Sequence, residues 1–187
     1  MQDFQPEKMA EAAVAFGFSH AAPLDPDTLI VYDEVRDMCA ADRCGLYGHC
    51  WTCPPACGSV EQHRQQISRY RKGIIVQTTG QLEDAFDFET MQSTQKEHQA
   101  TFHRYAEKLR PSLPGLLALA SGGCDLCECC TYPDEPCRTP EQALSSMEAY
   151  GLFVSEVCRK NDLPYTYGND TITYVSCYLW NDPHDAT

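Results

Sequence analysis

Apolar residues recur at helical spacing over residues 6–17, where Met9, Ala12, Ala13 and Phe16 share one face before Gly17 ends the run. Leu29-Ile30-Val31-Tyr32 has the density of a short strand. Ser59 followed by Gln62 is a capping-box pair, and Val60, Ile67 and Tyr70 give the helix it opens an apolar face that runs out near Lys72-Gly73. A second strand is predicted at Ile74-Ile75-Val76-Gln77-Thr78. It is followed over residues 87–109 by a long polar helix anchored by Phe88, Met91, Phe102 and Leu109 and stopped by Pro111. Leu116 to Ala120 is a continuous apolar run that reads as a buried strand and leads through Gly122-Gly123. Thr139-Pro140-Glu141-Gln142 combines an N-cap, a first-turn proline and a capping partner. It predicts a helix over residues 140–161 with Leu144, Met147, Gly151, Val154 and Cys158 as its stripe. Thr171 to Trp180 alternates and is the last strand. Strands separated by helices predict an α/β fold, with α+β as the alternative. It would have one sheet of about four strands, flanking helices and a single domain over residues 1–187.

Composition changes this picture mainly through charge and cysteine. With 43% apolar residues in 187, the chain can build an ordinary core. Asp and Glu outnumber Lys and Arg by 27 to 14, and a formal charge of −13 repels a phosphate backbone, which argues against a nucleic-acid partner. Apolar runs such as Leu116 to Ala120 fall far short of the roughly 20 residues a membrane span needs. Met1-Gln2-Asp3-Phe4 does not open a basic-then-apolar leader, so the expected location is cytoplasmic. Disulfide frameworks belong chiefly to small exported domains, so the twelve cysteines are expected to serve metal instead.

Ten of the twelve fall in two groups, Cys39 to Cys57 and Cys124 to Cys137, with none between. The second reads Cys124-x2-Cys127-x2-Cys130 with a more distant Cys137, close to the compact run that wraps a cubane in bacterial ferredoxins. Cys129 is then a surplus thiol or a replacement for Cys130, and a four-cysteine zinc site is the alternative. The first group is Cys39-x4-Cys44-x5-Cys50-x2-Cys53-Pro54-Pro55-Ala56-Cys57, five thiols for at most four places. A thioredoxin-like reading of Cys50-x2-Cys53 is disfavoured because Pro54-Pro55 opposes a helix there. Both groups run into a predicted helix N-terminus, at Ser59 and at Thr139, which suits an anionic all-thiolate cluster, and Arg138 adds a cation beside Cys137. Cys158 and Cys177 lie on apolar faces and read as core thiols, His49 as a surface residue, and Glu148 as a solvated carboxylate with a proton relay as the sharper alternative.

These residues in this order resemble the cysteine-rich predicted metal-binding family catalogued as domain of unknown function twenty-two eighty-four. The resemblance rests on Cys39-x4-Cys44-Gly45-Leu46-Tyr47-Gly48, Trp51-Thr52-Cys53-Pro54-Pro55, Cys124-x2-Cys127-x2-Cys130, Pro136-Cys137-Arg138-Thr139-Pro140 and Ser146-Met147-Glu148-Ala149-Tyr150-Gly151. It implies metal binding, with Cys39, Cys44 and Cys53 as the typical members of the first group. Three thiolates leave one corner of a cubane open, and Cys57 is placed to close it. The expected ligands are therefore Cys39, Cys44, Cys53 and Cys57 on one side and Cys124, Cys127, Cys130 and Cys137 on the other, holding one or two [4Fe-4S] clusters. The expected role is electron transfer with a redox protein partner, with an open-iron catalyst and a zinc-stabilised interaction protein as alternatives.

Overall fold

In chain order the elements are α1 (Pro6–Phe16), β1 (His20–Leu24), α2 (Asp33–Ala40), α3 (Val60–Ile67), β2 (Lys72–Gln81), α4 (Phe88–Leu109), β3 (Leu117–Leu119), α5 (Val154–Lys160) and β4 (Thr171–Trp180). They come from a computed structural model that describes residues 4–182. The N-terminal residues 1–3, read above for a leader, and residues 183–187 of the expected domain lie outside the described residues.

The two segments richest in β-branched and aromatic residues form the centre of the sheet. β2 and β4 pair antiparallel over their full length, from Lys72 opposite Trp180 to Gln81 opposite Thr171. β1 adds to the outer side of β2 and β3 to the outer side of β4, giving the order β1-β2-β4-β3 with every pair antiparallel. The expected α/β architecture of one four-stranded sheet with flanking helices is thus the one found, in its antiparallel, α+β form.

Alternation along the central strands sends side chains to two cores. Ile74, Val76, Tyr178 and Trp180 meet Met9 and Ala13 of α1 and Phe102 and Tyr105 of α4. Ile75, Cys177 and Leu179 face the other way, onto Ile67, Met147, Leu152, Val157 and Cys158. Each large side chain buried in this way contributes about 1.5–3 kcal/mol. On the α4 side the contact turns polar toward the start of the helix. His98 is fully buried between Thr78 Oγ1, 2.9 Å from Nδ1, and Ser176 Oγ, 2.7 Å from Nε2. Burial without a counter-charge pushes its pKa down to about 3, so the ring is neutral. Among the described residues no helix is long and apolar enough to cross a membrane.

Several local expectations fail for physical reasons. Residues 29–32 form no strand; only Val31 bridges, to Leu152. The helix from Ser59 ends at Ile67 rather than near residue 72. The predicted helix over residues 140–161 shrinks to α5. Gly151 adopts φ +85°, and a Cβ there would stand 2.9 Å from the Tyr32 carbonyl, so this position is a close crossing rather than a helical turn. β1 and α2 carry little signal, since β1 is an edge strand containing Pro23 and α2 buries only Val35. The first cysteine group consequently leaves a helix, not a strand end, whereas the second does follow β3.

Candidate metal centre

The first cysteine loop is built outward from α2. Cys39 lies in its last turn, and Arg36, one helical turn earlier, faces the same side. The Arg36 guanidinium donates to the Ala149 carbonyl at 2.7 Å, the Gly58 carbonyl at 2.9 Å, Cys57 Sγ at 3.6 Å and His63 Nδ1 at 3.3 Å. Donation onto Nδ1 leaves the His63 proton on Nε2, where it reaches the Cys57 carbonyl at 2.9 Å. The imidazole stacks on Tyr150 with centroids 3.8 Å apart, and burial, followed by the Arg36 charge, lowers its pKa. Backbone bonds complete the loop: Gly48 N to Pro54 O at 2.8 Å, Cys53 N to Cys50 O at 3.2 Å, and Cys57 N to Cys53 O at 3.0 Å. The expected capping box then opens α3, with Ser59 Oγ accepting from Gln62 N at 3.2 Å and Gln62 Oε1 from Ser59 N at 2.7 Å.

The second loop is pinned at its base, where Ala120 N donates to Ser145 O at 2.9 Å and Met147 N to Ala120 O at 3.0 Å. Gln99 of α4 holds the strand exit through the Ser121 and Gly123 carbonyls. Gly123 packs so tightly on Leu46 of the first loop that a Cβ would overlap the leucine's Cδ1. The two loops also meet at Trp51, whose Nε1 donates to the Glu135 carbonyl at 3.1 Å and whose ring stands edge-on to Tyr132 at 4.8 Å.

Between the loops lies a cavity of about 280 Å³ whose wall includes Cys124, Cys127, Cys130 and Cys137, the four expected ligands of the second group. Cys129 and Cys50 join them, the latter from the first group and only 2% exposed. The other expected ligands form a neighbouring chain of thiols, in which Cys39 feels the charge of Cys44, Cys44 acts on Cys53, and Cys39 acts on Cys57. Cys44 is exposed, and Cys39, Cys53 and Cys57 are half-buried. Cys57 Sγ receives Arg36 and points its own hydrogen at the Ala149 carbonyl, 3.8 Å away; burial nonetheless raises its pKa. Cys53 and Thr52, the latter with Oγ1 3.3 Å from Cys50 Sγ, push the Cys50 thiol down, while Cys50 and burial push Cys53 up.

The donors present are thiols, the ligand chemistry of iron–sulfur clusters and of structural zinc. Among the described residues, no three His, Cys, Asp or Glu side chains stand as a group that could hold one metal ion. A zinc site needs its sulfurs within about 2.3 Å of one point, whereas a cluster takes its thiolates on separate irons. Thr139 does not cap a helix: its carbonyl accepts from Gln142 N and Ala143 N, its Oγ1 is buried without a partner, and the residue lines the cavity.

The expected helix N-terminus at Thr139 is absent, while the one after Ser59 is present. Arg138 lines the cavity and donates from Nη1 to the Cys129 carbonyl at 2.9 Å. Glu148 is not on a helix or freely solvated. It is half-buried beside Cys39, and burial raises its pKa. Cys158 and Cys177 are fully buried in the core, and His49 is exposed although it lines the cavity mouth. Arg36 and His63 give little sequence signal; only the three-residue spacing of Arg36 from Cys39 on a helix hints at it.

A thiol-lined cavity between two loops on an α+β frame defines a metal-binding protein by its donors. The chain belongs to the family described as Predicted metal-binding protein (DUF2284), whose pattern matches residues 22–180. No curated protein and no solved structure matches it.

Proposed function

We propose that the protein holds [4Fe-4S] clusters on its two cysteine groups and exchanges electrons with a redox partner. The observation that carries this reading is the cavity between the loops, walled by thiols spread around a space. Bound there, a cluster would supply a one-electron store. Cys124, Cys127, Cys130 and Cys137 would hold one cluster, and Cys39, Cys44, Cys53 and Cys57 a second. Arg36, Arg138 and the amides that open α3 would offset the negative charge of the thiolates. A reducing compartment, such as the cytoplasm, suits the free thiols and clusters of this reading. A net charge of −13 favours a basic or neutral protein as the electron partner.

One observation favours a second reading, an enzyme with an open iron. The thiol of Cys57 is engaged by Arg36 and the Ala149 carbonyl, which reduces the first group to Cys39, Cys44 and Cys53. A small ligand that perturbs the visible spectrum would select it over electron transfer.

The deciding experiment measures iron, zinc and acid-labile sulfide in anaerobically purified protein, with visible absorption before and after dithionite. About eight irons and eight sulfides per chain mean two cubanes, and about four of each mean one. Zinc without sulfide overturns the reading and leaves a structural metal protein.

A further inference from the structure

Trp51, Thr52, Cys137 and Ala143 line the thiol cavity and also a second, more open cleft of about 430 Å³ between the same two loops. Its other walls are Ala56 and Cys57 of the first loop and Pro136, Pro140 and Ser145 of the second. Among the described residues no Asp, Glu, Lys, Arg or His lines it, in a chain whose formal charge is −13. The walls are braced by the backbone. Trp51 Nε1 donates to the Glu135 carbonyl at 3.1 Å, Ala143 N to the Thr139 carbonyl at 2.9 Å, and Ala120 N to the Ser145 carbonyl at 2.9 Å. The cleft is thus set by the fold, and its volume falls within the roughly 300–1,000 Å³ of small-molecule sites.

The wall chemistry selects the ligand. Trp51 and the two prolines offer rigid apolar surface, on which a ring packs with little ordering of side chains. An ion of either sign would leave water with no counter-charge to meet it. Two hydroxyls are the polar handles. Thr52 Oγ1 already stands 3.3 Å from Cys50 Sγ, whereas the Ser145 hydroxyl has no protein partner among the described residues. We infer that the cleft binds a neutral small molecule with an apolar ring and one hydrogen-bonding group, its ring on Trp51 and its polar group on Ser145. Through Cys57 and Cys137 the occupant lies against expected ligands of both centres. The inference rests on the cleft and not on which metal the thiols hold.

The test is equilibrium dialysis of the anaerobically purified protein at neutral pH against 2-naphthol, which is uncharged there, and against 2-naphthoate and 2-naphthylmethylammonium. The alcohol should bind saturably at one site per chain, and each ion about tenfold or more weakly by comparison. Ala56→Leu fills a wall position that the thiol cavity does not share and should weaken 2-naphthol binding by about tenfold at wild-type metal content. Ser145→Ala should weaken it about threefold to tenfold, and it keeps the test decisive if the leucine disturbs the loop, as circular dichroism would report. Absence of saturable binding overturns the inference, as does binding that neither substitution changes, or an ion that binds as tightly as the alcohol. Iron, zinc and sulfide are measured in the same samples, so zinc without sulfide overturns the cluster reading and leaves the binding result standing.

Discussion

The two faces of the sheet are covered in different ways. On one, α1 and the long α4 lay regular apolar stripes on Ile74, Val76, Tyr178 and Trp180, and the buried His98 is satisfied on both nitrogens. On the other, two short helices and the irregular chain around Met147 and Leu152 do the covering. Beyond them the cysteine loops are held by backbone carbonyls, one arginine and a tryptophan. The first face is made by hydrophobic burial. The second spends its polar contacts on aiming thiols, and its order at the cavity is the kind a metal completes.

The comparison is broken most severely at its stronger side. Phe102 is fully buried and stacks on Tyr178 at 4.4 Å, so Phe102→Ala should cost about 3–5 kcal/mol in denaturant unfolding. If the faces are independent, the folded fraction of that variant should still carry the wild-type ratio of metal to protein. Acid gives the next largest effect. Unfolded His98 takes up a proton near pH 6.5, whereas in the fold it stays neutral down to about pH 3. Its contribution is therefore complete above pH 6.5 and falls by about 1.4 kcal/mol per unit below it, reaching about 3 kcal/mol lost at pH 4. His98→Asn should flatten the fall in stability between pH 6.5 and 4; an unchanged slope would assign acid sensitivity to the carboxylates. The smallest effect on stability belongs to the thiol face. Arg36→Met leaves the Ala149 and Gly58 carbonyls without their donor and should cost about 1–3 kcal/mol. Metal content should separate this variant from Phe102→Ala, because Arg36 also holds Cys57, and loss should be confined to the first group.

The same division explains what could be read from the chain. α1, α4, β2 and β4 follow from periodicity, because their side chains meet flat, regular neighbours. The capping box at Ser59 is local chemistry and is legible for that reason. Thr139-Pro140-Glu141-Gln142 has equally good capping chemistry and makes no helix. There the chain must return to pair with Ala120 and then cross Tyr32 at Gly151, and those long-range demands leave no mark in a short window. The grouping of cysteines was visible as spacing. That Cys50 faces the second group and that Arg36 reaches Cys57 depend on how two loops meet across Leu46 and Gly123.

The chain has two tryptophans, and they occupy the two regions just contrasted. Trp180 is 1% exposed in the sheet, its Nε1 aimed at the Phe4 carbonyl, whereas Trp51 is half-buried where the cysteine loops touch. The molecule thus carries two native fluorophores with separate duties. Emission from Trp180 follows the integrity of the sheet, and Trp51, beside the cavity, is positioned to be quenched by whatever fills it. A Trp51→Phe variant would isolate the first signal, and its difference from the wild type would give an optical record of loading that requires no added label.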